Sequence, residues 1–417
     1  MFKKPDIVIP LIFAALSAAV SPLRADTLIN VVAPRENGAK TSVSISKITG
    51  ASATVKEFTG ILASDLKNSG HFITTENPQA AAVVVAGEIS GNATQFNVAV
   101  TVESLGGVRN DRWTLAFTPD KLRDTAHALA DFITERVTGK PGMASSKILF
   151  VGQRGGEPDI YQCDADGARL RQITHDGKLC LSPEWFSRQN AFLYTSWLSG
   201  SPAVYKINLD DNSRKLVASH PGVNQGATPS PDDSQMAVVL SRSGSIDLWS
   251  QSMDAARKLT RLTNNKNLIV ASPSWSPDGK QLVFAGGEGG ATPSIHVLNL
   301  ADKTPRRIVR DSSVREGVAP DWGPGKDNLI TFCGRSRSDG LYKIFTVKSD
   351  GSGLTLVSPD DGADYEDPSW APDGRHIVCT RKVDFKRSLV VLDTGGDPTR
   401  TLLTTSGEWY LPSWSKK

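Results

Sequence analysis

Apolar and polar positions divide the chain into two textures. In the first, Val55, Phe58, Ile61, Leu62 and Leu66 recur at helical spacing. Thr54-Val55-Lys56-Glu57 before them has the form of a capping box, and Asn68-Ser69-Gly70 after them is a stop. Leu122, Ala126, Leu129, Ile133 and Val137 form a second helical stripe, opened by Thr118-Pro119 and closed by Gly139 and Pro141. Between the helices, Ala82–Ile89 is continuously apolar, while Phe96, Val98, Val100 and Val102 alternate with other residues, which predicts strands. Residues 26–143 therefore read as a small α/β domain whose apolar stripes are core.

From residue 146 the helical period vanishes and short strands repeat. Trp275-Ser276-Pro277-Asp278-Gly279 precedes the apolar run Leu282–Ala285, and Trp370-Ala371-Pro372-Asp373-Gly374 precedes Ile377–Cys379. The unit is looser at Trp185 and Trp322, lacks its tryptophan at Pro229, and ends truncated at Trp414-Ser415. The anchors 185, 229, 275, 322, 370 and 414 are 44, 46, 47, 48 and 44 residues apart, a period typical of propeller blades. Each unit adds a second strand (Ile160-Tyr161, Val204-Tyr205, Leu248-Trp249), a polar turn such as Asp166-Gly167 or Asp350-Gly351, and a third strand. Six units are countable, predicting a six-bladed, all-β propeller over 146–417. The chain ends on the opening piece of a repeat, and Lys147–Val151 begins the array without one. The two ends together complete one blade, which removes open sheet edges. Tryptophans at equivalent places in successive units are expected to pack between neighbouring sheets.

The N-terminus changes the cellular picture. Lys3 and Lys4 precede the apolar stretch Ile7–Val20, and Ala25, or alternatively Ala19, is a small residue suited to a cleavage site. Residues 1–25 read as a cleavable signal peptide, predicting a soluble extracytoplasmic product without direct membrane insertion. The whole chain carries a formal charge of +3, and removing 1–25 leaves about +1. That balance gives no general drive toward nucleic acid or anionic lipid, leaving room only for a local patch. Of the four cysteines, Cys333 and Cys379 lie in apolar strands. None forms a C-x-x-C pair, and free thiols are favoured over a 163–180 bridge.

Catalytic patterns are missing. The histidines at 71, 127, 175, 220, 296 and 376 form no H-x-H or H-E-x-x-H pattern, although His175 and His220 follow the third strands of adjacent units. No G-x-S-x-G elbow occurs. Gly286–Gly290 reads as a hairpin turn, and Asp164-Ala165-Asp166-Gly167 as a polar blade turn rather than a calcium loop. No cofactor is predicted. A lyase or hydrolase with a metal or carboxylate site in the channel is the enzymatic alternative, and a binder of another exported ligand is a third.

Gly60–Phe72 (GILASDLKNSGHF), the junction Arg136–Gly142, and the sixfold array with its W-[SA]-P-D-G pieces and final Pro-Ser-Trp-Ser together carry a family likeness. The chain resembles the TolB family of the Tol–Pal envelope system over essentially its whole mature length. The resemblance implies a monomeric, non-enzymatic periplasmic adaptor serving outer-membrane integrity and cell division. It implies a Pal-like peptidoglycan-associated lipoprotein bound at one propeller mouth, and a TolA-like inner-membrane protein bound by the mature N-terminus. Here that N-terminus is Asp26, Thr27, Leu28, Ile29 and Asn30, whose alternation suits edge-strand addition to a partner or pairing within its own domain. The mouth loops before the W-S-P-D-G pieces supply Asn224, Gln225, Val270, Ser272, Glu316, Tyr365 and Glu366, with Trp409 and Tyr410 in the last piece. Family members carry a histidine near Asn224 or Gln225, which this sequence lacks. Exposed aromatics, namely Tyr365, Trp409 and Tyr410, are the expected anchors, with ordinary blade packing as the other role open to them.

Overall fold

A computed structural model describes residues 40–104, 110–264, 267–289, 291–325 and 327–416. Residues 1–25, expected to be a signal peptide, and Asp26–Asn30 lie outside the described residues.

The N-terminal unit is a five-stranded sheet in the order Phe72–Thr74, Thr41–Gly50, Val83–Gly91, Phe96–Ser104, Asn110–Phe117. The first two pairings are parallel and the last two antiparallel. Helix α1 (Ser52–Asn68) and helix α2 (Leu122–Thr138) bury the stripes the sequence marks, with Phe58, Leu62, Leu66, Leu129 and Ile133 fully enclosed. The helix starts differ from expectation. Helix α1 begins at Ser52, so Thr54 lies within its first turn, and Ala51 at the N-cap offers no side-chain bond. Before α2, Pro119–Lys121 forms a single 3₁₀ turn, and Thr118 bonds the Asp120 carboxylate at 2.6 Å instead of capping an amide. Gly139 ends α2 in the left-handed region at φ 70°, where glycine is unstrained.

The remainder is a ring of six four-stranded antiparallel sheets. Blades 1 to 5 begin with the strands Cys180–Trp185, Asn224–Pro229, Leu268–Trp275, Val314–Trp322 and Asp364–Trp370. Blade 6 is composite: the C-terminal Glu408–Trp414 is its first strand, followed by Lys147–Gln153, Asp159–Asp164 and Arg171–Gln172. The ends close the ring as the truncated repeat predicts. First strands of successive blades pack on one another around the whole circle, so they form the inner wall.

The recurring tryptophans sit where that wall meets the next blade. Trp185, Trp275, Trp322, Trp370 and Trp414 are all buried. Trp185 Nε1 donates to the Ser413 carbonyl and Trp275 Nε1 to the Thr228 carbonyl, each at 3.1 Å and each on the preceding blade's inner strand. A buried indole usually finds such a partner, and Trp414 Nε1 donates to Ser146 Oγ at 2.7 Å. Nε1 of Trp322 and of Trp370 has none among the described residues, so these two join blade to blade through apolar packing. All four cysteines are buried free thiols.

Candidate protein-binding mouth

The inner wall carries a feature that the repeat motif does not announce. Three residues before each anchor, Ser182, Gly226, Ser272, Ala319, Asp367 and Leu411 adopt φ of 51°, 60°, 49°, 46°, 52° and 50°. Every inner-strand pairing shifts register at that point. These are β-bulges, which re-aim side chains at the rims of closed sheets. Five of the six bulges are not glycine and are held in a costly conformation by the surrounding ring. Proline follows in five blades, at 183, 273, 320, 368 and 412, and it fits because a bulged residue needs no ladder donor there.

Next after the proline position come Glu184, Thr228, Ser274, Asp321, Ser369 and Ser413. Several of them link neighbouring blades, from blade 3 through to blade 6 and on to blade 1. The Trp322 amide donates to Ser274 Oγ at 3.0 Å, the Trp370 amide to Asp321 Oδ2 at 2.8 Å, and the Trp414 amide to Ser369 Oγ at 3.0 Å. Burial, reinforced by the charge of Asp321, pushes the Glu184 carboxyl up to about 8, while Ser413 Oγ donates to it at 3.3 Å. Asp367 is pushed up to about 7 by burial and by Glu366, which burial also raises. Lys416 Nζ lies 3.4 Å from Asp321 Oδ2 and offsets part of the negative charge. The throat is acidic and poorly solvated, so it favours a ligand that brings positive charge or hydrogen-bond donors.

The predicted mouth residues share one end of the ring, where the inner strands begin, but they divide by role. Gln225, Ser272, Glu316, Glu366 and Tyr410 are partly exposed. Asn224 is fully buried and staples its own loop: its Oδ1 accepts from the His220 amide at 2.7 Å and its Nδ2 donates to the Gly222 carbonyl at 3.1 Å. Val270 is core. The expectation of exposed aromatic anchors fails for two of three. Tyr365 is buried, its hydroxyl donating to Asp361 at 3.0 Å, and Trp409 packs edge-on against Phe150 and Tyr161. Both belong to blade packing because their strand alternation points them between sheets. Tyr410 remains partly exposed, its ring packed against the core between blades 6 and 1 and the Arg387 guanidinium 4.7 Å over it. His220 faces Gln251 at 3.3 Å.

The opposite end of the ring receives the N-terminal unit through two polar clasps. In the first, His127 of α2 is buried, with Nδ1 2.6 Å from Asp65 and Nε2 3.7 Å from Asp164 in blade 6. Burial alone would lower its pKa, but the nearby Asp164 carboxylate and the hydrogen-bonded Asp65 carboxylate override that and hold the imidazole up to about 9. Arg123 pairs with Asp166, and Asp124 with Arg169. In the second, Arg375 binds Asp393 at 2.8 Å and stands 3.3 Å from His71. Lys40 reaches Asp397 at 2.6 Å. The linker is tied down by Asp131, which accepts from the Ala144 and Ser145 amides at 2.7 and 2.9 Å. His127, Asp164 and Asp166 place ligand atoms within 4.8 Å of one another. Arg123, Lys147 and Arg169 already neutralise these carboxylates, so the cluster is suited to joining domains rather than holding a cation. Sequence reading missed it because its members come from three separate segments; the only local trace was the Asp164–Asp166 turn.

Comparison with known proteins agrees with this architecture. Residues 134–417 match the family model described as TolB beta propeller domain. A protein TolB homolog from Chlorobium luteolum is 29% identical over 343 residues, covering 81% of this chain and 76% of that protein. A Tol-Pal system protein TolB from Bordetella pertussis is 29% identical over 297 residues, covering 71% of this chain and 66% of that protein. The crystal structure of TolB from Acinetobacter baumannii superposes with a TM-score of 0.79 at 21% identity, covering 91% of this chain and 97% of that one.

Proposed function

Because the chain belongs to the TolB β-propeller family, we propose that it is a non-enzymatic periplasmic adaptor of a Tol–Pal system. In this reading the free mouth binds a Pal-like lipoprotein, and the mature N-terminus, Asp26–Asn30, binds a TolA-like inner-membrane protein. The assembly serves outer-membrane integrity and cell division. The observation that carries the reading is the asymmetry of the ring. One end is covered by the N-terminal unit through Asp166, Arg169 and Arg375. The other presents an acidic throat rimmed by Gln225, Ser272, Glu316, Glu366 and Tyr410. A rigid scaffold with loops clustered at one open end is a common platform for recognition.

The test is calorimetric titration of the purified mature chain with the soluble domain of the Pal-like lipoprotein from the same organism. Saturable one-to-one binding, weakened about tenfold or more by Tyr410→Ala, supports the adaptor. Absence of heat well above micromolar concentration overturns the Pal assignment.

A further inference from the structure

The second and third strands of blade 5, His376–Val383 and Lys386–Asp393, are joined by a two-residue turn at the mouth end of the ring. Arg381-Lys382-Val383-Asp384-Phe385-Lys386-Arg387 place four cations and one anion in seven residues. Phe385 at the tip is 91% exposed, and Val383 beside it is 39% exposed. The cations split into two sets. Arg381 is held at the base by Asp361 at 2.8 Å. Arg387 lies over Tyr410, and its amide donates to Glu408 at 2.9 Å. Lys382 acts on Glu366 only through its charge, and Lys386 is exposed; neither forms an ion pair among the described residues.

The turn is built against backbone preference. Asp384 and Phe385 both have positive φ, 46° and 66°. Hairpins of this type favour glycine at the second position, and a bulky residue there is an outlier. The same chain places glycine after aspartate at Gly167 and Gly351, with φ of 87° and 95°. At Phe385 the ring is retained although, at 91% exposure, it gains almost no packing within the fold. Blade 1 bears a second exposed apolar side chain on the same face, Leu198, 40% exposed and also between second and third strands.

A convex apolar tip flanked by lysines matches the layering of a phospholipid surface, where phosphates lie above acyl carbon. We propose that the Val383–Lys386 hairpin is a lipid-contacting tip. Phe385 and Val383 enter the boundary between headgroups and acyl chains of an anionic bilayer, and Lys382 and Lys386 pair with its phosphates. This is peripheral contact, and no helix among the described residues is long and apolar enough to cross a membrane. It goes beyond the adaptor reading and can fail independently of it.

Sedimentation of the mature chain with vesicles of phosphatidylethanolamine and phosphatidylglycerol tests it, with phosphatidylcholine vesicles as reference. The expected result is salt-sensitive binding to the anionic vesicles only, reduced about tenfold by Phe385→Ser and similarly by Lys382→Glu with Lys386→Glu. Thermal melting checks the fold: Phe385→Gly should melt no lower than the parent, since glycine relieves the turn. Equal binding of parent and Phe385→Ser, or no preference for anionic vesicles, overturns the proposal. If vesicles are ignored but Phe385→Ser weakens capture of the Pal-like domain, the hairpin is a protein contact and the lipid assignment is wrong.

Discussion

Replacing His127 by glutamine probes the joint between the two units. The imidazole is 1% exposed at its side chain, between Asp65 of α1 and Asp164 of blade 6. Its pKa rises from 6.5 to about 9 on folding. A raised folded-state pKa stabilises fully below the unfolded value, and the benefit is lost as pH climbs through the folded one. At roughly 1.4 kcal/mol per pH unit, that gap corresponds to about 3 kcal/mol. His127→Gln should therefore cost up to about 3 kcal/mol near neutral and mildly acidic pH, and progressively less as pH rises toward about 9 and beyond. Urea unfolding of parent and variant across that range, monitored at the first transition, measures the difference directly. His376 is also raised to about 9, through Asp373 and Asp393, so the parent should lose stability in alkali from both sites. The difference between the two proteins isolates His127. A gap that stays constant from mildly acidic to alkaline pH would show that His127 is not the protonated centre of the clasp.

Further consequences are as direct. Trp275→Ala removes a buried indole and its bond to Thr228, and should cost about 3–5 kcal/mol in denaturant unfolding. Deleting residues 408–417 removes the inner strand of blade 6; calorimetry should find the cooperative transition lost and light scattering should find association through the exposed edge. Glu184→Gln should raise the melting temperature near pH 8, because a carboxyl raised in the folded state costs stability as pH climbs from its unfolded value toward about 8. The advantage should shrink in acid, where the parent carboxyl is protonated in both states.

The architecture was legible because its signals are periodic. Spacing of the tryptophan anchors counted the blades, and the half repeat at Pro412–Ser415 announced the closure through Lys147. The α1 and α2 stripes were legible for the same reason. What escaped depends on contacts between distant segments. Asp65, His127 and Asp164 meet only after two domains dock. The bulges at Ser182, Ser272, Ala319, Asp367 and Leu411 are imposed by ring geometry on residues with little preference for positive φ. Tyr365 and Trp409 looked like binding anchors because aromatic residues dominate hot spots, yet strand alternation turns them into the blade. The Phe385 hairpin was hidden by a near-neutral total charge that averages over a local cationic tip.

Hydrogen exchange of the mature chain, with and without the soluble Pal-like domain, tests the central claim most directly. Mouth binding predicts protection at 220–226, 268–272, 314–317, 364–366 and 408–410, with the Ser276–Gly279 and Asp373–Arg375 turns at the other end unchanged. Protection confined to those turns or to α1 and α2, with the mouth segments exchanging as in the free protein, would contradict it.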